Sequence, residues 1–206
     1  MRRRAVFVAG LGLGALVLAG CGSGPSTRQA LTGGLAARSD AFTVTQAEVD
    51  QDMTAVLTAL GRAPGDPPAG MANAVVERLV QGDLIDAWAA TLGVALTAGQ
   101  VSAGVAELAE ANGGMEALDQ AALQSYIPSS AVTDVVRTNM LFAEAGRKLA
   151  ADVNEDQQTA AATTALMEYA ASIDVEVAPR YGAWDDTRLR VVAGSSVSSP
   201  APSPSS

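Results

Sequence analysis

Three times along this chain a small polar residue stands just before an apolar run of helical period, with Glu or Gln three places after it. The pairs are Thr45 with Glu48, Thr97 with Gln100, and Asn154 with Gln157. In such a pair the first side chain takes up a backbone N–H that the opening helical turn leaves unpaired, and the second reaches back to the cap. The stops are as plain as the starts. Gly61, Gly93 and Gly113-Gly114 stand where a C-terminal cap belongs, and Pro128 cannot continue a helix. A chain punctuated in this way is constrained to fold mainly as helices.

Between these marks the apolar residues recur at helical spacing. Val49, Met53, Val56, Leu57 and Leu60 line a first helix, and Pro64, Pro67 and Pro68 make the next loop irregular. A longer helix, residues 71–92, carries Val75, Val76, Leu79, Val80, Leu84, Ile85 and Trp88. Val101, Val105 and Leu108 mark a third, and residues 115–126 a short fourth. Ser129 or Ser130 is expected to cap a long fifth helix with Val132, Val135, Val136, Met140, Ala143 and Leu149 on one stripe. The last runs through Ala162, Leu166 and Tyr169. Residues 41–44 read as a short strand, and residues 173–177 alternate apolar and charged as a half-buried strand does. The expected fold is mainly α, with about five or six helices closed by short strands near the two ends of a domain over residues 36–192. The two strands are expected to pair. With aromatics at only 4%, the core must come from Ala, Val and Leu.

Composition removes several chemistries. The 206 residues include no His and one Cys. Without His there is no imidazole base, no Ser–His or Cys–His nucleophile pair and no His-containing zinc site. One Cys permits no intrachain disulfide and no CxxC pair.

The N-terminus reads as an address rather than as part of the fold. Arg2, Arg3 and Arg4 precede an apolar run over residues 5–19, shorter than a bilayer span and ending in small residues before Cys21. Residues 1–20 are therefore expected to be a signal peptide. Gly10-Leu11-Gly12-Leu13-Gly14 has neither the spacing nor the preceding strand of a nucleotide-binding loop. Leu18-Ala19-Gly20-Cys21 resembles the bacterial lipobox. That resemblance implies cleavage between Gly20 and Cys21, a diacylglyceryl group on the sulfur and an acyl chain on the new amino group. No other cofactor and no metal is expected. Losing three arginines takes the formal charge from −9 to −12, which disfavours nucleic acids and anionic headgroups. Attachment to the bilayer would rest on the acyl chains. Residues 21–35 read as the lipidated Cys and a flexible Gly/Ser/Thr tether, and residues 193–206 as a disordered Ser/Pro tail.

The succession of features carries a second resemblance. A lipobox, a strand, T-x-x-E-V-D at a helix start, a long helix ending A-x-x-L-G-V, then L-T-x-x-Q-V, G-G-M-E-x-L and an amphipathic helix near Ser130 follow in order. Together they resemble the SurA N-terminal (SurA/PrsA/trigger-factor-like) chaperone domain of exported bacterial foldases. The closing V-E-V-A-P-R-Y-G-A-W-D, residues 175–185, is similar to the ending of actinobacterial lipoproteins of that kind, with Ala178 where Asn is more usual. The resemblance covers residues 36–186 and implies a chaperone-like module. Many family members add a parvulin isomerase domain that uses histidines. This chain has no His and no room for that domain, so no catalytic residue is carried over.

Candidate site residues follow from chemistry. Cys21 is the lipid attachment point. Met71 and Met115, with Met53, Met140 and Met167, offer adaptable thioethers for a peptide surface, although their helical spacing suits gap-filling in an aromatic-poor core better. Arg180, Tyr181 and Trp184 are types favoured at binding hot spots; the alternative is that they pack over the end of the helical body. Asp83 with Asp86 and Asp185 with Asp186 lack the glycine-bearing loop of a calcium site and read as solvated surface.

These readings give an expectation: a lipoprotein on the extracytoplasmic face of the cell membrane, holding unfolded exported polypeptides without catalysis. The alternatives are an accessory lipoprotein docking one envelope protein and, third, a prolyl isomerase.

Overall fold

The computed structural model describes residues 34–192. Gly20, Cys21, the signal segment, nearly all of the tether and the Ser/Pro tail lie outside the described residues. The described chain is mainly helical, with six helices and a few short antiparallel strands.

The chain enters as β1 (Leu35–Arg38) and returns as β2 (Thr43–Thr45). The Ser39 hydroxyl accepts the N–H of Ala41 at 3.0 Å and of Phe42 at 3.1 Å, which holds the turn between them. β2 leads straight into α1 (Gln46–Ala59) through the expected capping box. Glu48 N–H donates to Thr45 Oγ1 at 3.2 Å, and Glu48 Oε2 accepts the Thr45 N–H at 2.7 Å. α1 ends with Gly61 at φ +65° and Arg62 N–H closing on the Leu57 carbonyl at 2.9 Å. α2 (Met71–Thr91) and α3 (Ala98–Ala111) end in the same left-handed geometry at Gly93 and Gly113.

α4 (Met115–Gln124) stops likewise, but with Tyr126 at φ +57° in the glycine's place and Ile127 N–H on the Ala122 carbonyl at 3.1 Å. α5 (Ser129–Leu149) corrects an expectation. Pro128 occupies the capping position and Ser129 is already helical, so neither Ser129 nor Ser130 is the cap. α6 (Glu155–Ser172) opens on Asn154, which accepts the Gln157 N–H at 3.0 Å.

The strands depart further from the sequence reading. Ile173 ends α6 and Asp174 turns the chain at φ +46°, so β3 is only Glu176–Val177. β2 and β3 do not pair. β1 lies between them in an antiparallel sheet of order β2-β1-β3, where Arg38 faces both Thr43 and Glu176 and forms a 2.7 Å ion pair with the latter. No polar–apolar alternation marks β1 in the sequence, because Ala36 and Ala37 are both wholly buried. The strand begins at Leu35, inside the stretch read as tether. A hairpin of β4 (Ala183–Asp185) and β5 (Arg190–Val192) closes the described chain.

Burial divides into three cores. One gathers β1, β2, α1, the first half of α2 and Tyr181; a second joins the end of α2 to α5 and α6 around Leu84, Trp88, Leu141 and Leu166; a third sets α3 and α4 on Val132 and Val136 of α5. α5 packs on α2, α3, α4 and α6 and links the last two cores. One polar stripe of α2, at positions i, i+4 and i+8, clamps the C-terminal segment. Asn73 donates to the Tyr181 carbonyl at 2.8 Å, Glu77 accepts the Val191 N–H at 2.8 Å, and Gln81 donates to the Leu189 carbonyl at 2.7 Å. The stripes thin out at their ends: Leu60, Leu108 and Leu149, expected on apolar faces, are exposed.

Candidate functional site

A groove of about 440 Å³ opens where α1, α2 and α5 meet. Its position follows from the helix starts. The Thr45 cap fixes the first turn of α1, so Glu48 and, one turn on, Asp52 face α2. α2 contributes Arg78, Leu79, Asp83, Ile85 and Asp86, and α5 contributes Asp134 and Arg137.

The charges in the groove are ordered. Arg78 Nη2 donates to Asp52 Oδ2 with both side chains largely covered, while Arg78 Nε is buried without a partner. Arg137 grips Asp86 in a two-pronged fork, Nη1 to Oδ1 at 2.8 Å and Nη2 to Oδ2 at 2.5 Å, and its Nε lies 4.0 Å from Asp134. The Asp86 bond in turn raises the Arg137 pKa. Asp83 has no hydrogen bond or ion pair among the described residues. Partial burial, followed by the charges of Glu48 and Asp86, pushes its pKa up to about 6 against the opposing pull of Arg137. Asp83 and Asp86 therefore belong to a walled groove, not to freely solvated surface.

The residues singled out in the sequence do not assemble into one surface. Met71 is wholly buried at the start of α2, which removes it from any peptide surface, while Met115 is 46% exposed at the start of α4. Met53 packs on the first core and Met140 on the third. Arg180, Tyr181 and Trp184 do come together, as a joint. Tyr181 is buried and its hydroxyl donates to Gln46 Oε1, the Arg180 guanidinium reaches the same oxygen and lies 4.8 Å from the Tyr181 ring centre, and Trp184 packs on two cores. Packing thus explains Tyr181 and Trp184. Asp185 holds the hairpin turn by accepting the Thr187 N–H at 3.0 Å, and its pKa is lowered chiefly by the Thr187 hydroxyl.

Sequence reading missed Asp52, Arg78, Asp134 and Arg137. Arg78 meets Asp52, and Arg137 meets Asp86, across different helices, and no local spacing signals such a meeting; Asp134 lies one turn from Arg137 on α5. Among the described residues no group of three or more acidic, His or Cys side chains is arranged to hold a metal, and no helix is long and apolar enough to cross a membrane. No family model, no curated protein and no solved structure matches the chain.

Proposed function

We propose that this chain is a lipoprotein anchored through Cys21 on the extracytoplasmic face of the cell membrane, whose helical body binds exported, unfolded polypeptides in a chaperone-like way and without catalysis. The reading keeps the resemblance to the SurA N-terminal module. The observation that carries it is the α1–α2–α5 groove, an open trough in which fixed charges stand beside the apolar Leu79 and Ile85. Such a lining suits the mixed polar and apolar surface of an extended chain. Tethering raises the effective concentration of the groove over chains emerging at the same membrane. The test uses the full chain in lipid nanodiscs beside a client unfolding at equimolar amounts. A delay in client aggregation is expected; neither delay nor peptide binding would overturn the reading.

The second reading, an accessory lipoprotein docking one envelope protein, draws on a separate observation. The exposed large apolar residues Leu60, Leu108, Met115, Leu149 and Val153 are spread over different elements, and the groove is rich in fixed ion pairs. Fixed charge patterns select partners more than they hold many. Crosslinking in intact cells separates the two, with many partners for a chaperone and one for an accessory protein. An isomerisation assay on a proline peptide is expected to show no acceleration.

A further inference from the structure

We infer that the groove between α1, α2 and α5 receives a basic side chain, an arginine or lysine carried by an extended polypeptide segment, with Asp83 as the carboxylate that takes it. The inference rests on the reading above that the helical body binds polypeptides, and it adds what the groove selects. Glu48 and Asp52 face the groove from α1, Asp86 and Arg78 from α2 beside Asp83, and Asp134 and Arg137 from α5. Carboxylates outnumber guanidiniums, and both guanidiniums are already committed, Arg78 to Asp52 and Arg137 to Asp86. Asp83 alone among the groove's aspartates has neither a cation nor a hydrogen-bond donor.

A half-buried carboxylate beside two like charges is held at a disadvantage, visible in its pKa of about 6. A cation brought to it removes that disadvantage, so the groove favours basic ligands before any further contact forms. The Asp86–Arg137 fork, three residues further along α2, is the same chemistry already satisfied from within the fold. Leu79 and Ile85 offer apolar wall for the methylene stem of an arginine or lysine, whose charged head seeks polar partners while its stem buries on apolar surface. The volume of about 440 Å³ admits such a side chain with part of its main chain.

The experiment measures binding of short labelled peptides to the full chain in lipid nanodiscs. The peptides are identical except for one central residue: Arg, Lys, Gln or Glu. The Arg and Lys peptides are expected to bind about tenfold tighter than the Gln peptide, with Glu weakest. Asp83→Asn should bring the Arg peptide down to the level at which the variant binds the Gln peptide. On the unaltered protein, affinity for the Arg peptide should fall as pH drops below about 6, where Asp83 takes up its proton, while Gln binding stays level. Equal affinity for the Arg and Gln peptides overturns the inference and leaves polypeptide binding standing. Failure of every peptide to bind overturns both.

Discussion

The hydroxyl of Tyr181 donates to Oε1 of Gln46 at 2.6 Å, joining the 3-10 turn Pro179–Tyr181 to the first residue of α1 across 135 positions of chain. The same oxygen receives the Arg180 guanidinium, and Arg180 also reaches the Leu35 carbonyl at 3.4 Å. The C-terminal segment is thereby fastened to the start of the helical body, at the end of α1 from which Glu48 enters the groove. Tyr181 is buried in this joint, while Arg180 stays exposed beside it.

Tyr181→Phe keeps the ring and removes one hydrogen bond, and Gln46 Oε1 retains Arg180 as a partner. A loss of about 1 kcal/mol is expected. Tyr181→Ala also empties a buried site in the first core, for a loss of about 3–5 kcal/mol. Urea unfolding with an unchanged slope measures both, and a Phe variant as weak as the Ala variant would show that the hydroxyl, not the ring, holds the joint.

Two glycines that look alike in sequence should answer differently to alanine. A Cβ on Gly146 of α5 would stand 2.9 Å from the Gln158 carbonyl oxygen of α6, a backbone atom that cannot yield without parting the helices. Gly146→Ala is expected to lose about 1–3 kcal/mol. A Cβ on Gly104 of α3 meets only the Met140 sulfur and its terminal methyl at close range, the flexible end of a side chain. Its displacement offsets a helix-propensity gain of about 1 kcal/mol, so Gly104→Ala should fall near neutral. Thermal unfolding of the two variants side by side decides, and a Gly146→Ala protein as stable as the parent would refute the close approach.

The helices were legible because their signals are local. Thr45 with Glu48 and Thr97 with Gln100 announce caps within four residues, and the glycine stops need only their own backbone angle. The strands were not, because their reasons are distant. Ala36 and Ala37 are both wholly buried, so nothing in Leu-Ala-Ala-Arg marks β1. Residues 173–177 alternate as a strand should, yet α6 runs on to Ser172 and Asp174 must turn the chain before pairing can begin. The groove was invisible for a similar reason: Asp52 and Arg78 are 26 residues apart and meet only because α1 and α2 pack together.

That pair supplies a third prediction. Asp52 and Arg78 are more than four-fifths covered, and removing one partner strands the other's charge. Asp52→Ala should lose about 3 kcal/mol. Adding Arg78→Met, which also removes the unpartnered Nε, should recover most of that loss, since an apolar replacement of a covered pair is often neutral. Chemical unfolding of the two single variants and the double gives the coupling directly, and additive losses would show that the pair does not act as a unit.

The last prediction concerns pH. The folded protein holds the Asp83 pKa at about 6, above the ordinary 3.8, so between those values the native state keeps a proton that the unfolded chain releases. The contribution of Asp83 to stability is therefore fully present below about pH 4 and is lost as pH rises through about 6. Asp83→Asn keeps the shape and never ionises. At neutral pH it should be more stable than the parent by about 1 kcal/mol, less than the full shift implies because the groove is open to solvent and screens the charge. Below about pH 4 the two proteins should unfold together, since both side chains are then neutral. Midpoints from thermal unfolding across that range test the sign as well as the size. A variant less stable than the parent at neutral pH would mean that Asp83 already has a cation in the folded protein.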